Sequence, residues 1–248
     1  MPSTKARPLF ERLFLYYSRT MTIVREELGD GAFELTLINT IRLNEPTLRK
    51  LLELGKIKHV VRLGAFHGVD DAFYLQRTNA QYWVVEGMVN APNLNVKTNV
   101  LSNSNLPLSN ARLFSFAELP YPEAIIVLDK SMDRPGVAIT TDAIQNHRTI
   151  FDIDNSPLVS FAIWKIGLAG LARLGPIWLR EQALSPSDKN ELSSGDKKQK
   201  VSNFFKPQFE RLISDYDFET LVPGHGWPIQ TNAREAIRKS IASQLDIL

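Results

Sequence analysis

Two apolar rhythms alternate along the first third of the chain. Residues 21–25 and 33–39 are apolar-rich runs with period-two alternation around the turn Gly29-Asp30-Gly31, which predicts a β-hairpin. Pro46 opens a helix that runs to Leu54, and Gly55 closes it. Residues 58–63 form a buried-type strand, residues 69–77 have helical spacing, and residues 81–85 return to a strand. Strand–helix–strand alternation predicts a layered architecture with helices packed on sheets.

Periodicity then fades. Residues 86–110 are rich in Asn, Pro and Ser and read as a long surface loop. Three further strands follow at residues 111–116, 124–129 and 137–141. Residues 156–180 are strongly apolar, with Phe161, Trp164, Ile166 and Trp178 among them. A membrane span needs about 20 uninterrupted apolar residues. Lys165, Arg173, Gly175 and Pro176 break this one, so it predicts a helix or helix pair covering the core, a site edge or a contact between copies of the chain. Residues 182–200 are polar and read as a loop, residues 201–214 as a helix, and residues 232–248 as a final helix capped by Asn232 and Glu235.

Composition narrows the function classes. A chain of 248 residues with 44% hydrophobic and 23% charged residues has the make-up of a globular protein, read here as a single domain over 1–248. The net charge of +2 is too small for a nucleic-acid binder, and Lys197-Lys198-Gln199-Lys200 reads as a solvated loop. With no cysteine, disulfides, thiolate metal sites and cysteine nucleophiles are excluded. Residues 1–20 carry five charges and no long apolar core, unlike a signal peptide, so a cytoplasmic location is expected.

Candidate chemistry sits at strand ends. In residues 219–228 a short apolar run stops at Pro223-Gly224-His225-Gly226, where a glycine on each side holds an imidazole on a tight turn. The loop at residues 64–71 carries His67, Asp70 and Asp71 between a strand and a helix, and Asp142 ends the strand at 137–141. Each has an ordinary reading: Asp70, Asp71 and Asp142 as caps or turn formers, the histidines as loop residues. Three strand ends with ligand-type side chains point instead to one shared site. His59 reads as structural, and His147 as a surface residue or a contact near the Asp142 turn. Trp227, Trp164 or Trp178 would serve as pocket walls or core.

With these motifs placed, the chain resembles the metallo-β-lactamase superfamily over nearly its whole length. The closing strand, Pro-Gly-His-Gly and helix over residues 221–237 carry the resemblance, together with Gly136-Val137-Ala138-Ile139-Thr140-Thr141-Asp142. The resemblance implies an α+β fold, a four-layer αββα sandwich of two mixed sheets between outer helices. It also implies a site for two zinc, iron or manganese ions, held by a His-x-His-x-Asp-His loop, a lone His, a bridging Asp and a final His. His225 would then be the final His and Asp142 the bridging Asp, the pair that carries catalysis.

This chain departs from that pattern. The gap-free counterpart of the His-rich loop is Ala65-Phe66-His67-Gly68-Val69-Asp70; a shifted placement puts Val69 and Ala72 where histidines belong. No histidine lies between His67 and His147, which leaves Glu118 or Glu123 as alternatives for the lone ligand. The implied site is degenerate and mononuclear: one Zn, Fe or Mn ion on His67, Asp142 and His225, with Asp70 or Asp71 assisting. The function expected is metal-dependent hydrolysis of a small molecule, with no β-lactam specificity implied by the fold. The alternative is a non-catalytic member of the fold that binds no metal and recognises a small ligand or a partner. A third reading uses residues 156–180 as the contact of a homo-oligomer.

Overall fold

Burial along the strands shows which of them lie between two layers. All of Ala124–Leu128 is buried, as are the last four residues of Phe33–Ile38, so these strands are covered on both faces. The computed structural model describes residues 19–29, 31–89, 94, 96–147 and 170–246. Within them, β1 (Thr22–Glu27), β2 (Phe33–Ile38), β3 (Lys56–Arg62), β4 (Gln81–Val84) and β5 (Thr98–Val100) form one sheet in chain order. The β1–β2 hairpin is antiparallel and the other neighbours are parallel.

The second sheet has the order β11-β8-β7-β6, built from β6 (Ala111–Ser115), β7 (Ala124–Leu128), β8 (Val137–Ile139) and β11 (Thr220–Val222). Its β11–β8 pair is parallel and its other pairs antiparallel, so both sheets are mixed. A separate two-stranded ribbon joins β9 (Ile144–His147) to β10 (Gly170–Leu174). The helices are α1 (Glu45–Glu53), α2 (Asp71–Leu75), α3 (Pro176–Ala183), α4 (Pro186–Glu191), α5 (Ser194–Asp215) and α6 (Ala233–Gln244).

Three buried clusters fix the layers. Ile38, Val61 and Leu63 from the first sheet meet Ile126 and Ile139 from the second, and this is the seam between the sheets. Leu35, Leu37 and Val60 turn outward from the first sheet to Leu48 and Leu51 of α1 and Phe73 of α2. On the far side, Ile125 and Val127 face Trp178 of α3, Phe205 and Phe209 of α5 and Ile237 of α6. Helix, sheet, sheet and helix stack as an αββα sandwich, as the resemblance implied. Asn39 clamps the two sheets where β2 ends. Its side-chain amide donates to Thr140 O at 3.2 Å and its carbonyl oxygen accepts from Leu63 N at 3.4 Å. Its backbone sits at φ 57°, a left-handed conformation that asparagine tolerates better than most residues.

Several elements differ from the sequence reading. The loop expected at residues 86–110 contains β5, a three-residue edge strand paired with β4 and too short to show alternation. The polar loop expected at 182–200 is largely helical. Ser185 and Ser193 accept hydrogen bonds from Asp188 N and Asp196 N, so α4 and α5 begin inside that stretch as N-capped helices. No residue of α4 is buried, and for that reason it carried no apolar signal. In the described part of residues 156–180, Gly170–Leu174 is a strand and α3 begins at Pro176, so the expected helix or helix pair is corrected there to a strand followed by a helix. Gly175 and Pro176 separate the two elements. A helical run also fails because residues 170–174 pair with β9 and Gly175 N then donates to Ala143 O at 3.1 Å. Asn232 precedes α6 at φ 59° and makes no side-chain cap bond, so the predicted capping does not occur.

The reading of residues 1–20 as lacking a leader falls mostly outside the described residues, as do residues 156–169 with Trp164. No described helix is long and apolar enough to cross a membrane.

Phe209 is fully buried, with Phe116, Phe205 and Trp178 ring centroids 5.3, 6.0 and 6.4 Å away. Phe209→Ala is expected to lower unfolding free energy by about 3–5 kcal/mol, read as a fall in the urea midpoint at an unchanged slope.

Candidate metal centre

Each of the three ligand-type side chains is carried by a backbone turn after a strand. His67 follows β3 in a turn closed by His67 N donating to Gly64 O at 3.0 Å. The buried Arg62 side chain braces that turn, donating to the carbonyls of Gly64, Ala65 and Val89. Asp142 sits between β8 and β9, where Thr140 Oγ1 donates to Ile144 O at 2.9 Å.

His225 follows β11. A Cβ on Gly226, at φ +89°, would lie 2.0 Å from Asn146 O, so only glycine fits beside the imidazole. A Cβ on Gly224 would lie 3.0 Å from Thr141 Cα. Asn146 locks this loop: its N donates to His225 O at 3.0 Å, its O accepts from Trp227 N at 2.9 Å, and its side-chain amide donates to Trp227 O at 2.6 Å.

The three side chains converge. Their ligand atoms all lie within 4.8 Å of one another. His225 Nε2 is 3.0 Å from Asp142 Oδ1, and His67 Nε2 is 3.2 Å from Asp142 Oδ2. The two imidazole centroids are 5.2 Å apart. His67, Asp142 and His225 are 8%, 7% and 4% exposed, so the cluster is nearly closed to solvent. Burial on its own would raise the Asp142 carboxyl, but the charge pairing with His67 and the hydrogen bond with His225 outweigh it and hold the group well below the usual carboxylate range. The His67 approach to Oδ2 is close enough for charge pairing but lacks hydrogen-bond alignment. Asp142 Oδ2 is accordingly a buried oxygen with no hydrogen-bond partner among the described residues.

Asp70 and Asp71 do not join this group. Asp70 Oδ2 accepts from Arg19 Nη2 at 2.8 Å near the surface. Asp71 is fully buried and occupied elsewhere: its Oδ1 accepts from Thr40 Oγ1 at 2.6 Å and its Oδ2 from the Tyr82 hydroxyl at 2.7 Å. Burial raises the Asp71 carboxyl, against the pull of those two hydroxyls and of Arg62. Among the described residues this carboxylate knots α2 to both β2 and β4.

His147 is fully buried in β9 rather than on the surface. His59 is structural as read, its Nδ1 accepting from Trp83 Nε1 at 3.0 Å. Trp178 is packed in the core, while Trp227 is 57% exposed beside the His225 turn.

Of the two glutamates left open for the missing histidine, Glu118 is exposed at φ 56°, and Glu123 is buried against the Asp142 turn. Burial first, and then the charge of Asp142, push the Glu123 carboxyl well above its usual range. The sequence signal missed here was Asn146. A buried polar strand residue leaves no periodic trace, though its place four residues after Asp142 was visible.

Two substitutions separate the roles. Asp71→Ala orphans two buried hydroxyls and is expected to cost about 2–3 kcal/mol, whereas Asp70→Ala, breaking a surface ion pair, is expected to cost under about 1 kcal/mol. Chemical denaturation of the two variants checks both. Gly226→Ala is expected to destabilise by roughly 2–4 kcal/mol through strained backbone and the Asn146 clash, with the same assay as readout.

No protein-family model and no curated protein matches the sequence. Solved structures do match. A β-lactamase domain protein from Burkholderia ambifaria aligns with a TM-score of 0.52 at 12% identity, over 90% of this chain and 65% of its own. A metallo-β-lactamase from Staphylococcus aureus subsp. aureus COL gives a TM-score of 0.46 at 14% identity, over 93% and 68%. ETHE1 from Myxococcus xanthus gives 0.46 at 14%, over 94% and 89%. This chain thus spans just under two thirds of the Burkholderia protein. At these identities the likeness concerns architecture alone: the chain has the metallo-β-lactamase fold.

Proposed function

We propose that this chain holds one divalent ion of the zinc, iron or manganese type on His67, Asp142 and His225, and hydrolyses a small molecule there. The observation that carries the reading is the convergence of three donors from three strand ends around Asp142, one buried oxygen of which has no hydrogen-bond partner among the described residues. Each imidazole Nε2 stands beside a different oxygen of the Asp142 carboxylate, at 3.0 and 3.2 Å, and the three ligand atoms lie within 4.8 Å of one another. Two imidazoles and a carboxylate are a donor set these metals accept. The residues present fit the group.

Such an ion supplies Lewis acidity. The chain's own residues do the rest. Asp142 remains a carboxylate because both imidazoles stabilise its charge. The glycine-flanked turn presents His225 without backbone freedom, and Arg62 fixes the loop that carries His67. Near-complete burial keeps bulk water from the donors and strengthens every charge interaction among them.

The ligand count argues for one ion. The positions a second would need hold Ala65, Val69 and Ala72, which have no donor, and Asp70 and Asp71 are engaged by Arg19 and by Thr40 and Tyr82.

One observation favours a second reading, a non-catalytic member of the fold. The cluster is so closed that a substrate has little access, and Asp142 pairs with both imidazoles.

Elemental analysis of protein purified without added metal is expected to show close to one equivalent per chain. Two equivalents would refute the reduced site, and none after zinc, iron or manganese titration would leave the non-catalytic reading. His225→Ala is expected to abolish binding with unchanged far-UV circular dichroism. Because the Asp142 carboxyl lies below its ordinary range, it stays charged as pH falls from 8 toward 5. A pH titration of occupancy is therefore expected to show no loss of metal from protonation of Asp142 over that interval.

A further inference from the structure

We infer that Glu123 is a positioning residue for the metal centre, tying the loop that carries His67 to the turn that carries Asp142. This rests on the metal-site reading above. The two ligands come from different sheets, so something must fix one against the other.

Glu123 touches both. On the first-sheet side its backbone bridges Gly64, and the neighbouring pairs are Ala65 N to Pro122 O at 3.0 Å and Ala124 N to Leu63 O at 2.9 Å. The start of β7 is thus zipped to the chain leaving β3, three residues before His67. On the other side Glu123 Oε1 accepts from Ala143 N at 2.8 Å, the amide directly after Asp142.

The surroundings are built around this carboxyl. A Cβ on Gly64 would stand 2.8 Å from Thr141 Oγ1 and 3.2 Å from Glu123 Oε2, so the glycine leaves room for the group. Glu123 is 1% exposed, and its Oε2 has no hydrogen-bond partner among the described residues. An acidic side chain buried with one oxygen unmatched is a costly way to satisfy a single amide. An apolar residue of the same size would suit a purely structural role better. Glu123 also stands outside the group whose donors converge within 4.8 Å, so it acts through Asp142 and not as a ligand.

The test compares Glu123→Gln, which keeps an acceptor for Ala143 N–H, with Glu123→Met, which keeps the volume and removes the acceptor. Cobalt(II) titration gives affinity and the visible spectrum of the bound ion, and thermal unfolding gives stability. Glu123→Met is expected to remain folded with a cooperative unfolding transition while binding cobalt about 10–100-fold more weakly, the size of effect usual for residues that orient ligands. Glu123→Gln is expected to retain the parent spectrum and affinity within about threefold.

Parent-like affinity in Glu123→Met would overturn the proposal, and so would an altered spectrum in Glu123→Gln, which would make the carboxylate a direct ligand. A parent that binds no cobalt would fell the metal reading alone. The positioning role is then read from the histidine ring 15N resonances of the metal-free protein. Glu123→Met is expected to shift those of His67 and His225 and Glu123→Gln to leave them; unshifted resonances in Glu123→Met would overturn it.

Discussion

The site depends on one constraint: a buried carboxylate at Asp142 has to be stabilised by partners that its own strand does not provide. Taking such a charge out of water is costly unless it is paired and hydrogen-bonded. His67 and His225 supply the pairing from the ends of β3 and β11, each reaching one oxygen of the same carboxylate. The rest of the local architecture follows from holding those two imidazoles still. Gly226 is needed because Asn146 passes within contact of it, and Asn146 passes there because it clamps the His225 turn to the β9–β10 ribbon.

That arrangement needs two sheets at a fixed offset. The apolar seam of Ile38, Val61, Leu63, Ile126 and Ile139 holds them together but is not directional. Direction comes from polar groups set into the seam's edge. Asn39 spans from Leu63 to Thr140, and Glu123 spans from Gly64 to Ala143. Both lie next to ligand-bearing turns, so packing and site geometry are one problem at this edge of the sandwich.

The acidic residues of the 64–71 loop show the limit of reading ligands from residue type. Asp71 is the more buried of its two carboxylates, yet its oxygens are taken by Thr40 and Tyr82. Those hydroxyls come from the ends of other elements and turn a candidate ligand into a brace for α2. Asp70, one residue earlier, faces Arg19 instead. Neighbouring residues at a helix start point in different directions, so proximity in sequence did not decide which of them meets the site.

By itself the sequence determined the alternation of the hairpin, β3, β4, β6, β7 and β8, the helices around α1 and α5, and the three strand-end residues His67, Asp142 and His225. Those signals are local, since strand burial has period two and tight turns demand glycine. It misread residues 182–200 because an exposed, serine-capped helix has no apolar stripe, and residues 170–174 because a buried strand and a buried helix are equally apolar. Only the tertiary structure decided that Asp71 is a brace, that Glu123 and not Glu118 lies against Asp142, and that Asn146 holds the final turn. Each of these assignments depends on contacts between segments far apart in the chain, and only folding the two sheets together creates those contacts.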